Sequence, residues 1–124
     1  MAQYDAYRPF PDLAVNGKQT LGENIADVAG LAAAYDAYRL ALGGKPGLVV
    51  SGLSADQQFF ISFGQSWRVK PRDQALRQQV IVDGHAPGRY RTATVRNLEL
   101  VRNTLDGSRR NTLLDTLDLT ATAM

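Results

Sequence analysis

Apolar residues recur at steps of four, three, four and three from Leu21 through Ile25, Val28 and Ala32 to Tyr35, and Leu42 extends the run. That is the period of one helix face, so the pattern predicts a helix over residues 20–42. Thr20 followed three residues later by Glu23 fits a capping box at its start. Gly43-Gly44 and then Lys45-Pro46-Gly47 end it, since glycine permits the left-handed closing turn and proline cannot continue the ladder. A second capping pattern, Ser54-Ala55-Asp56-Gln57, opens a helix that carries Phe59, Phe60, Phe63 and Trp67. Aromatics at that spacing predict core. A third helix is predicted over residues 73–82, with Ala75, Leu76, Gln79 and Val80 inward. Residues 1–19 read as an arm or loop, with Val15-Asn16-Gly17-Lys18 as a turn. Asp83-Gly84-His85-Ala86-Pro87-Gly88 reads as an ordered loop. Residues 94–105 suit strand and helix equally. From Asp106 only Leu113, Leu114, Leu117 and Leu119 give an amphipathic pattern. The fold class is therefore mainly α, with three or more helices and long ordered loops.

Composition narrows the chemistry. The 124 residues make one domain. The absence of cysteine removes disulfides, thiolate metal sites and cysteine nucleophiles. A single histidine removes a zinc site built mainly from this chain's own imidazoles. The formal charge is +2, and eleven of the fourteen basic residues are arginine. Arginines cluster from Arg68 to Arg102, which raises a nucleic-acid binder as one alternative. No helix-turn-helix, finger or aromatic-basic strand pattern accompanies them, so no nucleic-acid partner is expected. Met1-Ala2-Gln3-Tyr4-Asp5 lacks the basic start and apolar run of a signal peptide, and no stretch reaches the roughly 18 apolar residues of a membrane span.

Two groups of residues can carry chemistry. Glu23 and Asp27 are four apart on one helix and share a face, where they repel unless something positive lies opposite. A metal would resolve this; so would a solvated acidic face with Glu23 serving the cap. Asn24, between them, could hold a backbone group or a ligand carbonyl, or simply lie exposed. His85 follows Asp83 by two residues, so the carboxylate can orient the ring. Arg89 and Arg91 come next and could clamp a carboxylate or carbonyl, or be plain surface charges.

The motifs in order then carry a resemblance. Gly22-Glu23-Asn24-Ile25-Ala26-Asp27-Val28-Ala29-Gly30-Leu31 with Ala34-Tyr35-Asp36-Ala37-Tyr38 resembles the third-ligand helix of the neprilysin and endothelin-converting-enzyme family of zinc metallopeptidases. Gln57-Gln58-Phe59-Phe60 and Gln65-Ser66-Trp67-Arg68 resemble the helix after it. Asp83-Gly84-His85-Ala86-Pro87-Gly88-Arg89-Tyr90-Arg91 resembles the family's D-x-H-[SA]-P-x-x-[FY]-R segment, and Arg96-Asn97 its following pair. The likeness covers about residues 3 to 99. It implies a partial, thermolysin-like helical lobe: a single partial domain 1–124 made of an arm or loop 1–19, a family-like region 20–99 and a divergent tail 100–124.

The resemblance also implies roles. Glu23 would be the glutamate ligand of a catalytic zinc. Asp27 would accept a hydrogen bond from a zinc-bound histidine. His85 would stabilise the oxyanion, with Asp83 orienting it, and Arg91 would bind the substrate carbonyl beyond the scissile bond. Arg89 sits at a variable position and receives no role. The family's H-E-x-x-H segment, its N-A-x-Y strand, its large lid domain and its P-x-x-R-x-x-x-W ending are absent from these residues. The expectation is thus part of a zinc endopeptidase that acts on peptides. Zinc belongs to the intact enzyme, and this chain alone is expected to be inactive and to bind no metal stably. Family members are often periplasmic, secreted or membrane-anchored with an extracellular catalytic domain; the residues assign no compartment here. The other alternative is a noncatalytic module that self-associates through helix 20–42, whose Ala26, Gly30 and Ala34 would be uncovered.

Overall fold

A computed structural model of the chain describes residues 1–98. It is mainly helical, with no strand among the described residues. In order, α1 spans Ala2–Asp5, α2 Leu21–Ala41, α3 Ala55–Ser66, α4 Asp73–Val82 and α5 Gly88–Thr92, followed by a 3-10 helix at Ala93–Asn97. Of residues 94–105, 94–97 are therefore helical and Leu98 is extended, and the tail from 100 lies outside the described residues.

The start of α2 departs from the capping-box expectation. Asn16 Oδ1 accepts from the backbone N–H groups of Lys18 (3.1 Å) and Gln19 (3.0 Å), which forms a tight turn. Thr20 N–H already bonds Asn16 O at 3.1 Å, and Thr20 sits at φ −90°, ψ 1° rather than in the extended geometry a capping side chain needs. Its hydroxyl donates to Asn16 O and accepts from Asn24 Nδ2. Glu23 is thereby left free of the cap. At α3 the expected box does form: Ser54 Oγ accepts from Gln57 N–H at 3.2 Å, and Gln57 Oε1 accepts from Ser54 N–H at 2.8 Å.

The main core lies where α2, α3 and the 3-10 helix meet. Leu31, Tyr35, Phe60, Val95 and Leu98 are buried together, with Val28, Tyr38, Phe59 and Phe63 packed around them. The inward stripe of α2 runs Asn24, Val28, Leu31, Tyr35; Val28 and Tyr35 lie on the predicted face, while Asn24 and Leu31 each precede by one the predicted Ile25 and Ala32. Ile25, expected inward, is exposed, and so is Ala75 on α4. Both followed from counting apolar residues alone, whereas the stripe on α2 begins at a polar one. Ala26, Gly30 and Ala34 are exposed.

The stretch 1–19 packs against the segment from Ala86 to Thr94. Tyr4, Val15 and Ala86 form a second buried cluster with Tyr7 and Tyr90, whose rings stack at 4.6 Å. Tyr4 Oη meets Thr94 Oγ1 at 3.1 Å. Gly17 is required here, since a Cβ would collide with the Met1 carbonyl. Gly88 has the same constraint against the Trp67 carbonyl, 2.8 Å from its notional Cβ. That close approach seats α5 beside the end of α3.

Candidate active-site cluster

Three elements bring the candidate residues together. Glu23 lies in the first turn of α2, His85 in the loop after α4, and Arg91 on α5. His85 Nε2 is 3.1 Å from Glu23 Oε2, and its Nδ1 is 2.9 Å from Asp83 Oδ1. Asp83 Oδ1 also accepts the His85 backbone N–H at 2.9 Å. The ring therefore lies between two carboxylates, and only the doubly protonated imidazole can donate to both. Both sides of the Glu23 contact are 45% exposed, so a ligand can reach it.

Arg91 and Asp27 form a bidentate pair. Nε donates to Oδ2 at 2.8 Å and Nη2 to Oδ1 at 2.6 Å, with the two side chains 16% and 10% exposed. The bond to Asp27 raises the guanidinium pKa above its ordinary value. Arg91 also lies over the Trp67 ring, 3.9 Å from its centroid. Sequence reasoning placed Trp67 in the core and missed this contact; its place in Gln65-Ser66-Trp67-Arg68 was the available signal. Trp67 Nε1 is shielded from solvent and has no hydrogen-bond partner among the described residues. A cavity of about 390 Å³ opens beside Trp67 and Arg91, walled by Pro71, Leu76, Pro87 and Tyr90.

Asn24 is buried rather than exposed. Its Nδ2 bonds Thr20, and its Oδ1 has no partner among the described residues. Asp27 accepts from Arg91, so its two oxygens already hold two charge-assisted bonds. Neither of those two bonds uses Arg91 Nη1.

The bond from the His85 backbone, then the one from its ring, holds the Asp83 carboxyl below its ordinary value of 3.8. Asp12, bonded bidentately by Arg77, is shifted the same way. A carboxyl with a lower pKa when folded stabilises the fold above its unfolded pKa, and that contribution is lost as pH falls through the folded value. The urea midpoint is therefore expected to fall as pH drops below about 4. Asp83→Asn should flatten that fall, and an unchanged slope would show that Asp83 carries none of it.

Zinc does not fit the described residues by themselves. A zinc site takes three or four protein donors. Among the described residues no group of three or more His, Cys, Asp or Glu side chains is placed to hold a metal ion. Glu23 would be one donor, and His85 now faces it.

The family model for Peptidase family M13 matches residues 1–110. Endothelin-converting enzyme-like 1 of Homo sapiens is 49% identical over 80 residues, covering 62% of this chain and 10% of that protein. Neprilysin-3 of Drosophila melanogaster is 39% identical over 105 residues, covering 78% of this chain and 13% of that protein. The crystal structure of the Mycobacterium tuberculosis zinc metalloprotease ZMP1 in complex with inhibitor superposes with a TM-score of 0.75 at 39% identity, covering 80% of this chain and 16% of that one. The chain thus spans only 10–13% of the length of these two curated relatives.

Proposed function

The chain belongs to peptidase family M13, and from that membership we propose that α2, the loop after α4 and α5 form one wall of a zinc endopeptidase active site. Glu23 is the carboxylate ligand. Protonated His85, held by Asp83, donates to the oxygen that gains negative charge when a peptide carbonyl is attacked. Arg91 binds a substrate carbonyl through Nη1, kept in place by Asp27 below and Trp67 beside it. The observation that supports this most directly is the 3.1 Å contact between His85 and Glu23, two residues from distant parts of the chain that the motif reading assigns to one reaction.

The only histidine among the 124 residues is His85. Two imidazole ligands and the base that activates water must therefore come from residues outside these 124. With Glu23 as its one assigned ligand, the chain alone binds zinc weakly and hydrolyses no peptide.

The test has two arms. The purified chain, titrated with zinc and offered a peptide, should show no turnover; zinc-dependent hydrolysis removed by Glu23→Ala would overturn the inactivity. Next, the chain is fused behind an M13 segment that carries H-E-x-x-H, giving an active protein. There Glu23→Ala should abolish zinc retention. His85→Ala should lower kcat by about 10²–10³-fold, and Arg91→Ala should act mainly on KM. A kcat within twofold of the parent after His85→Ala would sink the assignment.

A further inference from the structure

We propose that Gln19 is a positioning residue that sets the separation of Glu23 and His85. This rests on the reading above that those two side chains belong to one site. Gln19 lies four residues before Glu23, at the end of the Asn16 turn that leads into α2. Its backbone is fixed there, because its N–H donates to Asn16 Oδ1 at 3.0 Å. Its side-chain amide crosses to the end of α4, where Nε2 donates to Asp83 O at 2.8 Å and to Ile81 O at 3.4 Å. The last carbonyls of a helix have no partner within it, so they are open to such a donor. One neutral side chain therefore joins the start of the helix that carries Glu23 to the end of the helix that leads into His85.

The contact between Glu23 and His85 cannot fix that distance by itself. Both side chains are 45% exposed, and Gln19 and its two bonds are exposed as well, so water competes at every one of these contacts and the separation depends on their acting together. The Arg77–Asp12 pair also ties α4 to the N-terminal stretch, but it does so from the middle of the helix, away from the loop. Gln19 acts two residues before His85, at the carbonyl of the same Asp83 whose carboxylate receives the ring. Both Nε2 hydrogens are needed to serve two carbonyls. Glutamate at this position would set a carboxylate against two carbonyl oxygens.

His85 is the only histidine, so its ring nitrogens give unambiguous NMR signals. The experiment records ring ¹⁵N shifts at one fixed pH in the full chain. Glu23→Gln alone should move the Nε2 signal, which reports the contact. In a Gln19→Ala or Gln19→Glu background, the same Glu23→Gln change should move Nε2 by less than half as much. In an Arg77→Ala background it should keep its full size, because that variant loosens α4 without releasing the loop. A full-sized effect in Gln19→Ala overturns the positioning role and leaves the site intact. No effect of Glu23→Gln in the parent chain overturns the Glu23–His85 site and the positioning role with it. An effect reduced equally by Arg77→Ala shows general loosening and overturns the specific role of Gln19.

Discussion

Phe60→Ala is expected to destabilise the chain by about 3–5 kcal/mol, the largest loss any single truncation here should produce. Phe60 is 0% exposed, and its ring stacks on Tyr35 at 5.2 Å and meets Phe59 edge-on at 5.3 Å. Removing it opens a cavity between α2 and α3 that neither can collapse into, because Leu31, Val95 and Leu98 hold the other walls. Aromatic pairing adds about 0.5–1.5 kcal/mol to the apolar term. A domain of this size is stable by only about 5–15 kcal/mol, so the variant should lose most of its cooperative urea transition. Ile25→Ala is the control. Ile25 is 59% exposed, so its loss should stay within about 0.5 kcal/mol. Similar shifts in the two urea midpoints, at equal m-values, would mean that the core is not where the structure places it.

That contrast also shows what the amino-acid pattern can and cannot reveal. Phe60 follows from aromatic spacing after a Ser54-to-Gln57 capping box, both of them local signals. The bounds of α4 follow in the same way from Asp73 and the glycine loop. Ile25 misleads because the buried stripe of α2 begins with Asn24, and a polar residue that bonds Thr20 does not count as apolar in any periodicity. The cap at Thr20 misleads because Asn16 tightens the turn before it, a competition between two local motifs that spacing cannot rank. The candidate site was named residue by residue from ordered motifs. That these residues share one site followed only from the resemblance and from no local pattern, since His85 meets Glu23 through the way α4 returns against the start of α2. The bond between Arg91 and Asp27 joins residues 64 apart, and no local rule pairs them.

Asp27→Ala is expected to cost about 2 kcal/mol, less than the 3–5 of a fully buried pair because a little solvent still reaches both side chains. Truncation would leave the Arg91 guanidinium, 16% exposed, with Trp67 against its face and no carboxylate for Nε or Nη2. Asp12 and Arg77 provide the comparison. Their bonds, at 2.8 and 2.9 Å, are nearly as short, and Arg77 likewise covers a ring, that of Phe10. Yet their side chains are 66% and 42% exposed, and water screens so exposed a pair. Geometry is thus close to constant between the two pairs, and burial is what differs. Double-mutant cycles with alanine at both partners isolate each pair from its ring contact. The coupling should be about 2 kcal/mol for Asp27–Arg91 and clearly smaller for Asp12–Arg77. Raising the salt concentration should shrink the second coupling much more than the first, because the Debye length falls to about 3 Å at 1 M and screens the pair that water surrounds. Equal couplings with equal salt sensitivity would show that Arg91 is not held in a protected pocket, and a guanidinium free to wander could not present Nη1 to a substrate carbonyl.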